Sequence, residues 1–347
     1  MLVTGHTGFK GSWLAMWLQK LGAEVAGYAL PAPAESLFQL AGVERGMRSV
    51  QGDIRSAASL QALFESFEPQ VVFHLAAQSL VRVSYESPVE TYEVNVLGTA
   101  QLFEAVRKTS SCRVVINVTS DKCYANKEWI WGYREDDPLG GRDPYSSSKA
   151  CAELVTRAYQ ASFFDATGER RVGVASARAG NVIGGGDFAK DRLVPDVMRA
   201  LKSGSPLQIR NPAAVRPWQH VLEPLCGYLR LAEKIWVDGG GGDCEAWNFG
   251  PAIEDARPVR WIVERLTHHW GSPIRWDLDR VSHPHEAGLL RLDSTKARVR
   301  LEWSPRWGLE EALKKVCEWH QAHHRGEQMR EVCDRQLVAY ANGDGPR

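Results

Sequence analysis

Two short stretches of this chain hold residue types that could work together as acids and bases. Tyr145-Ser146-Ser147-Ser148-Lys149 sets a tyrosine and a lysine four residues apart, a spacing that puts both on one helix face. An ammonium near a phenol lowers the phenol's pKa toward the working pH, and a phenolate can take the proton of a sugar hydroxyl. Upstream lies Thr119-Ser120-Asp121-Lys122, directly after the apolar run Arg113 to Thr119. If that run is a strand of a parallel sheet, its carboxyl end faces the ligand crevice, and Ser120 can hydrogen-bond the same hydroxyl. Oxidising an alcohol needs no more than Ser120, Tyr145 and Lys149. Asp121 and Lys122 add a second acid–base pair. Taken alone, that pair could equally be a solvated loop.

Such a site needs a hydride carrier, and the N-terminus offers a place for one. Gly5-His6-Thr7-Gly8-Phe9-Lys10-Gly11 follows an apolar Leu-Val-Thr run and opens a helical pattern. Glycines at this spacing allow a tight turn and let backbone amides approach a pyrophosphate at a helix N-terminus. The spacing is GxxGxxG rather than GxGxxG. An acid is expected at the end of the second strand to hold an adenosine ribose, but Tyr28-Ala29-Leu30 stands there. The choice between NAD and NADP therefore stays open on the residues. Asp53-Ile54 could hold the adenine edge, or Asp53 could cap a helix. Leu75-Ala76-Ala77-Gln78 is small enough for the backbone to pass close to a cofactor.

The elements that must position these groups alternate. Strands are expected at Leu2 to Thr4, Glu24 to Tyr28, Val71 to His74, Arg113 to Thr119 and Val172 to Arg178. Helices are expected at Lys10 to Leu21, Ala57 to Phe67, Pro88 to Lys108 and Ser146 to Phe164. Strand–helix alternation means parallel strands with right-handed crossovers, an α/β doubly wound sheet of the Rossmann type. After Arg178 glycine, proline, tryptophan and arginine become frequent. The division expected is a dinucleotide-binding domain over 1–180, with 215–250 returning to it, and a smaller C-terminal substrate lobe from 181–214 and 251–340. Gly239 to Gly242 reads as a flexible loop or hairpin tip and Ala341 to Arg347 as a disordered tail. Met1 lies inside the first strand, so the chain is expected to begin late.

Bulk composition bounds the rest. Lys plus Arg and Asp plus Glu both total 42 of the 347 residues. This gives no support for a nucleic-acid or membrane-surface partner. Apolar runs are broken well before the ~20 residues of a spanning helix. No leader segment is apparent, and a cytoplasmic enzyme is expected. The seven cysteines (112, 123, 151, 226, 244, 317 and 333) are odd in number with no CxxC spacing, which argues for reduced thiols and against a zinc site or disulfide framework.

The stretches GHTGFKGSWL, TSDKCY, EWIWGYRE, LGGRDPYSSSKACAELV, RAGNVIGGGD, RPWQHVLEPL and HPHEA resemble the nucleotide-sugar 4,6-dehydratases of the extended short-chain dehydrogenase/reductase superfamily, in particular those acting on CDP-glucose. The resemblance covers nearly the whole chain. It implies a hydro-lyase of deoxysugar biosynthesis that keeps NAD bound, dehydrates CDP-glucose to CDP-4-dehydro-6-deoxyglucose, and needs no metal. Tyr145, with Lys149 and Ser120, would deprotonate the C4 hydroxyl as hydride leaves C4. Asp121 would protonate the departing C6 hydroxyl. Relatives acting on dTDP-glucose have Asp-Glu at this place, with the glutamate as C5 base; here Lys122 stands in that position and would be the base. Cofactor contacts would come from Gly5, Thr7, Gly8, Phe9, Lys10, Gly11, Asp53, Ile54, Leu75, Ala76, Ala77, Gln78, Asn95, Thr119, Tyr145 and Lys149. Substrate contacts would come from Gln78, Ser120, Asn181, Arg192, Arg216, His220 and His285, the two arginines clamping the pyrophosphate. Trp129 and Trp131 would shape a lid, or simply pack. The resemblance further implies a homodimer or tetramer, paired through the helices after Pro88 and Tyr145. An epimerase or reductase of the same superfamily, or a silent NAD-sensing scaffold, is the competing reading.

Overall fold

A computed structural model describes residues 1–164, 171–279, 281 and 287–343. Seven parallel strands form the main sheet: β1 (Leu2–Thr4), β2 (Ala26–Ala29), β3 (Arg48–Gln51), β4 (Val71–His74), β5 (Val114–Val118), β6 (Gly173–Arg178) and β7 (Ala246–Asn248), in the order β7-β6-β5-β4-β1-β2-β3. Leu2 of β1 lies between Ala26 of β2 and Val72 of β4. The chain winds outward from β1 in both directions, so a crevice opens above β1 and β4 at their carboxyl ends. Every residue of β4, β5 and β6 is buried, as a sheet covered by helices on both faces requires. Edge strand β3 is half exposed.

The helix Phe9–Lys20 has eight consecutive buried residues, Gly11 to Leu18. It is enclosed on all sides, which its all-round apolar sequence permits. The helix Pro144–Tyr159 starts two residues earlier than the periodicity indicates. Asp143 caps it, accepting from the Ser146 amide at 2.9 Å, and Pro144 occupies the first turn, where its fixed φ and missing N–H carry no penalty. It ends at Tyr159, and a π-helical turn continues to Phe164. The long helix expected over 88–108 is interrupted: Pro88–Tyr92 and Gly98–Lys108 flank a π-helical turn at Glu93–Leu97.

A separate apolar cluster joins the helices Leu193–Ser203, Val259–Trp270 and Leu309–His324. The segment 251–340 contributes to both this cluster and the one around the first helix. Its last helix, Met329–Asn342, packs on the first helix through Trp17 and Tyr340, whose rings lie 5.6 Å apart. The helix Leu222–Val237 joins the same core through Leu222, Leu225 and Tyr228. Glu223 ties these parts together by accepting from the Trp307 amide at 2.8 Å, the Tyr340 hydroxyl at 2.7 Å and the Arg306 amide at 3.0 Å. Within the segment 215–250, Val215–Pro217 pairs antiparallel with Ala256–Pro258 on the small-lobe side, while β7 pairs with β6. The described cysteines are all free thiols. No helix among the described residues is long and apolar enough to cross a membrane. Of the segment 341–347, residues 344–347 lie outside the described residues.

Candidate active site

The glycine loop turns the chain from β1 into the first helix. Gly5 has φ +74°, and a Cβ on it would stand 2.7 Å from the Ala76 amide nitrogen, so only glycine lets these two strand ends meet. Gly8 caps the helix with no side-chain hydrogen bond to its first-turn amides. Those amides stay available to an anion, which is what a dinucleotide pyrophosphate needs. Beside them, Thr4 Oγ1 accepts from the amides of Leu75 and Ala76, both at 3.2 Å, and bonds His74 Nδ1 at 2.7 Å. The ends of β1 and β4 are thereby held in register above the crevice.

One cleft of about 1190 Å³ runs from this loop into the smaller lobe. It is large enough for two nucleotide-sized ligands, since ordinary small-molecule sites span roughly 300–1,000 Å³. Gly5, Thr7, Gly8, Phe9, Lys10 and Gly11 line one end, with Asp53, Ile54 and Leu75 to Gln78. Asp53 caps no helix: its carboxylate holds Arg55 at 2.6 Å, and that guanidinium keeps it below the usual carboxylate range.

Ser120, Asp121, Lys122, Tyr145 and Lys149 all line this cleft. Ser120 donates to Asp121 Oδ1 at 3.1 Å and also lies within hydrogen-bonding reach of the Tyr145 phenol. Lys149 Nζ donates to the Val118 carbonyl at 3.3 Å. Burial lowers the Lys149 ammonium to about 8, with Glu153 opposing. Burial pushes the Tyr145 phenol up to about 12; the Ser120 hydrogen bond opposes this and the Asp121 charge adds to it. The phenol is thus raised, not lowered as expected beside Lys149, because desolvation is the largest cause. Asp121 is raised as well: burial is the largest cause, with Lys122, Ser120, Arg216 and Lys10 opposing. Its Oδ2 is buried without a hydrogen-bond partner and presses on Gly180, where a Cβ would fall 1.7 Å away.

Asn181, Arg192 and Arg216 line the same cleft. Asn181 adopts a left-handed conformation with φ 44°. Arg192 pairs with Asp187 at 2.9 Å and donates to Ser79 at 3.0 Å, while Arg216 donates to the carbonyls of Val215, Ala287 and Gly288. Thr119 lines the cleft, but its hydroxyl is given to Glu153. Two expected contacts lie elsewhere. His220 is fully buried between Trp13 and Trp307, with ring centroids 6.4 and 4.9 Å away, and burial lowers it to about 3; it packs in the core and does not line the cleft. Asn95 lies behind the wall. It accepts from the Gln78 amide at 2.9 Å and donates to Ser148 at 2.8 Å, splinting the end of β4 to the catalytic helix. The Gln78 side chain is likewise turned inward onto Leu80 and Thr91. Trp129 stacks on Tyr133 at 5.2 Å and Trp131 is largely exposed; neither lines the cleft. His285 lies outside the described residues.

Sequence reasoning missed the support beneath the site. Glu153 and Arg178 form a fully buried ion pair at 2.7 Å, and Ser176 donates to the same carboxylate at 2.7 Å. Arg178 also donates to the Tyr124 hydroxyl at 2.8 Å and the Glu135 carbonyl at 2.9 Å. The signal was present: Tyr145, Lys149 and Glu153 continue one i, i+4, i+8 face into the protein.

Residues 2–316 match the family described as GDP-mannose 4,6 dehydratase. Among curated proteins, the chain is 52% identical over 343 residues to the CDP-glucose 4,6-dehydratase of Salmonella typhimurium, covering 98% of this chain and 95% of that one. Among solved structures, the dTDP-glucose 4,6-dehydratase of Streptomyces venezuelae with NAD and TYD bound superposes with TM-score 0.79 at 25% identity, over 95% of this chain and 99% of that one. The UDP-glucose 4-epimerase of Thermotoga maritima shares the fold, with TM-score 0.80 at 22% identity over 93% and 99% of the two chains. With its glycine-lined crevice, its Ser120–Tyr145–Lys149 group and a match along most of its length, the chain belongs to the GDP-mannose 4,6 dehydratase family of extended short-chain dehydrogenases/reductases.

Proposed function

We propose that this protein is an NAD-dependent hydro-lyase that converts CDP-glucose to CDP-4-dehydro-6-deoxyglucose for deoxysugar biosynthesis. The observation that carries the reading is Asp121: a buried carboxyl, raised in pKa, with a free oxygen beside the Ser120–Tyr145 pair. An epimerase or reductase has no use for a proton donor there, whereas the loss of a C6 hydroxyl requires one. The similarity to the Salmonella typhimurium enzyme supports the choice of base.

The glycine loop, Asp53, Ile54 and the Leu75–Gln78 wall would hold NAD. When bound, NAD supplies the hydride acceptor for C4, the hydride donor for C6, and a positive charge that favours the Tyr145 phenolate. Tyr145 takes the C4 hydroxyl proton, and Ser120 holds that hydroxyl in line. Lys149, fixed on the Val118 carbonyl, stabilises the phenolate. Asp121 gives its proton to the leaving C6 hydroxyl, and Lys122 takes the proton from C5 and returns one there as hydride reaches C6. Asn181, Arg192 and Arg216 hold the sugar diphosphate, so the larger lobe takes the cofactor and the smaller the nucleotide. The protein acts as a cytoplasmic homodimer: the free thiols suit a reducing compartment, and the helices on which pairing is expected expose Val89, Tyr92, Leu97, Leu154 and Phe163.

Incubation with CDP-glucose, dTDP-glucose and GDP-mannose separately, without added reductant, tests this. Product is read as the alkali-induced absorbance of a 4-keto-6-deoxy sugar and as loss of one water by mass. Turnover of CDP-glucose alone, with no net NADH, is expected. Turnover of another sugar keeps the mechanism and moves the base; no water loss from any refutes the reading.

A further inference from the structure

Tyr145 follows Pro144 in the first turn of the catalytic helix. Amides in a first turn find no partner within their own helix. Asp143 accepts from the Ser146 amide, but the Tyr145 amide is met from elsewhere in the chain: it donates to Ser84 Oγ at 3.1 Å. Ser84 is fully buried, and its own proton goes to the Val81 carbonyl at 2.6 Å. Its hydroxyl is thereby turned with a lone pair toward Tyr145. The backbone that carries the phenol is fixed by a residue of another helix, Val81–Glu86.

That short helix has a second attachment. Arg82 pairs with Asp191 at 2.9 Å, and just before it in the chain Ser79 Oγ accepts from Arg192 at 3.0 Å. Asp191 and Arg192 belong to the segment 187–192, whose Arg192 is read above as a grip on the sugar diphosphate. Asp191 is held there in a left-handed conformation with φ 61°, and Arg210 donates to its carbonyl at 3.3 Å. Residues 79–84 therefore meet this segment at two points and the catalytic tyrosine at a third. We propose that Ser84 is a positioning residue for Tyr145, and that the helix Val81–Glu86 passes the seating of the segment 187–192 on to it. A short helix tied at both ends moves as a unit. Misplacing a reacting group by ~1 Å costs about 100-fold in rate, so a slack tie at either end reaches the phenol. Binding energy from the diphosphate, which does not react, is in this way spent on orienting the base. The inference rests on the reading of Tyr145 as the group that takes the C4 hydroxyl proton.

For each variant, kcat and KM for CDP-glucose at saturating NAD are measured with NAD affinity by calorimetry and the thermal unfolding midpoint. Ser84→Ala should lower kcat about 10- to 100-fold, while KM and NAD affinity stay within a few-fold. Ser84→Thr, which keeps the hydroxyl, should recover most of kcat. A hydroxyl that served the fold alone would lower the midpoint and leave kcat unchanged. Arg82→Gln and Asp191→Asn cut one contact from its two ends. Both side chains are partly exposed, so both variants should fold, and each should lower kcat by a similar several-fold factor. With Ser84→Ala already in place, Arg82→Gln should cost little more, because the tie to Tyr145 is gone. A folded Ser84→Ala enzyme with the kcat of wild type overturns the positioning role. Losses that add in full, or unchanged kcat in both Arg82→Gln and Asp191→Asn, overturn the relay, and these last two variants carry the test should Ser84→Ala fail to fold. Undiminished kcat in Tyr145→Phe would overturn the underlying reading with it.

Discussion

Replacing Glu153 by glutamine removes one charge and little volume, so its consequences can be worked from the geometry. Glu153 is fully buried; one carboxylate oxygen meets Arg178 at 2.7 Å and Ser176 at 2.7 Å, while Thr119 donates to the other. An amide keeps one acceptor but leaves the buried Arg178 guanidinium without a counter-charge. Breaking a buried pair from one side costs about 3–5 kcal/mol, and glutamine, being isosteric, should fall near 3. The second consequence is at the site. Glu153 is the largest influence holding up the Lys149 ammonium, which burial has already lowered to about 8. Without that carboxylate Lys149 loses its proton at lower pH, the Tyr145 phenolate loses support, and the alkaline limb of kcat moves toward acid. Urea unfolding followed by tryptophan fluorescence measures the first effect, and the pH profile of kcat the second. The double change Glu153→Leu with Arg178→Met removes both charges and should recover most of the stability but not the alkaline limb. A stability loss below ~1 kcal/mol for Glu153→Gln, or an alkaline limb that stays or moves upward, would refute the reasoning.

Tyr145→Phe should lower kcat by at least ~100-fold, the usual worth of a positioned acid–base group, while NAD affinity measured by fluorescence stays within a few-fold. His220→Asn should lower the unfolding midpoint, because the ring fills a space between Trp13 and Trp307, yet leave KM within about twofold; a large rise in KM would restore it to the substrate site. Glu223 gives a pH signature in stability. Burial raises it to about 7, with the Trp307 and Arg306 amides and the Tyr340 hydroxyl opposing. A carboxyl raised above its unfolded value favours the folded state while protonated, so this stability is fully present below pH ~4.5 and is lost as pH rises through about 7. The midpoint temperature of Glu223→Gln should therefore change less between pH 5 and 7.5 than that of wild type, and equal slopes would dismiss the linkage.

Local physics wrote much of this protein into its sequence. The pairing of Asp143 with Pro144 starts the catalytic helix, the four-residue step from Tyr145 to Lys149 aims both into one cleft, and the glycine at position 5 has a φ and a neighbour that no other residue tolerates. Strand–helix alternation sufficed for the doubly wound sheet, because parallel strands need crossovers. The tertiary structure alone decided other features, since they depend on groups far apart in the chain. The π-helical turn at Glu93–Leu97 brings Asn95 within reach of both Gln78 and Ser148, which no helical period reveals. His220 sits in an arginine- and tryptophan-rich stretch that reads as binding surface, yet Trp13 and Trp307 close over it. The last helix returns to the first lobe because Tyr340 finds Trp17 and Glu223 there. The pKa values of Asp121, Tyr145 and Lys149 are likewise tertiary properties: desolvation is the largest cause of each, and desolvation depends on what the rest of the chain encloses.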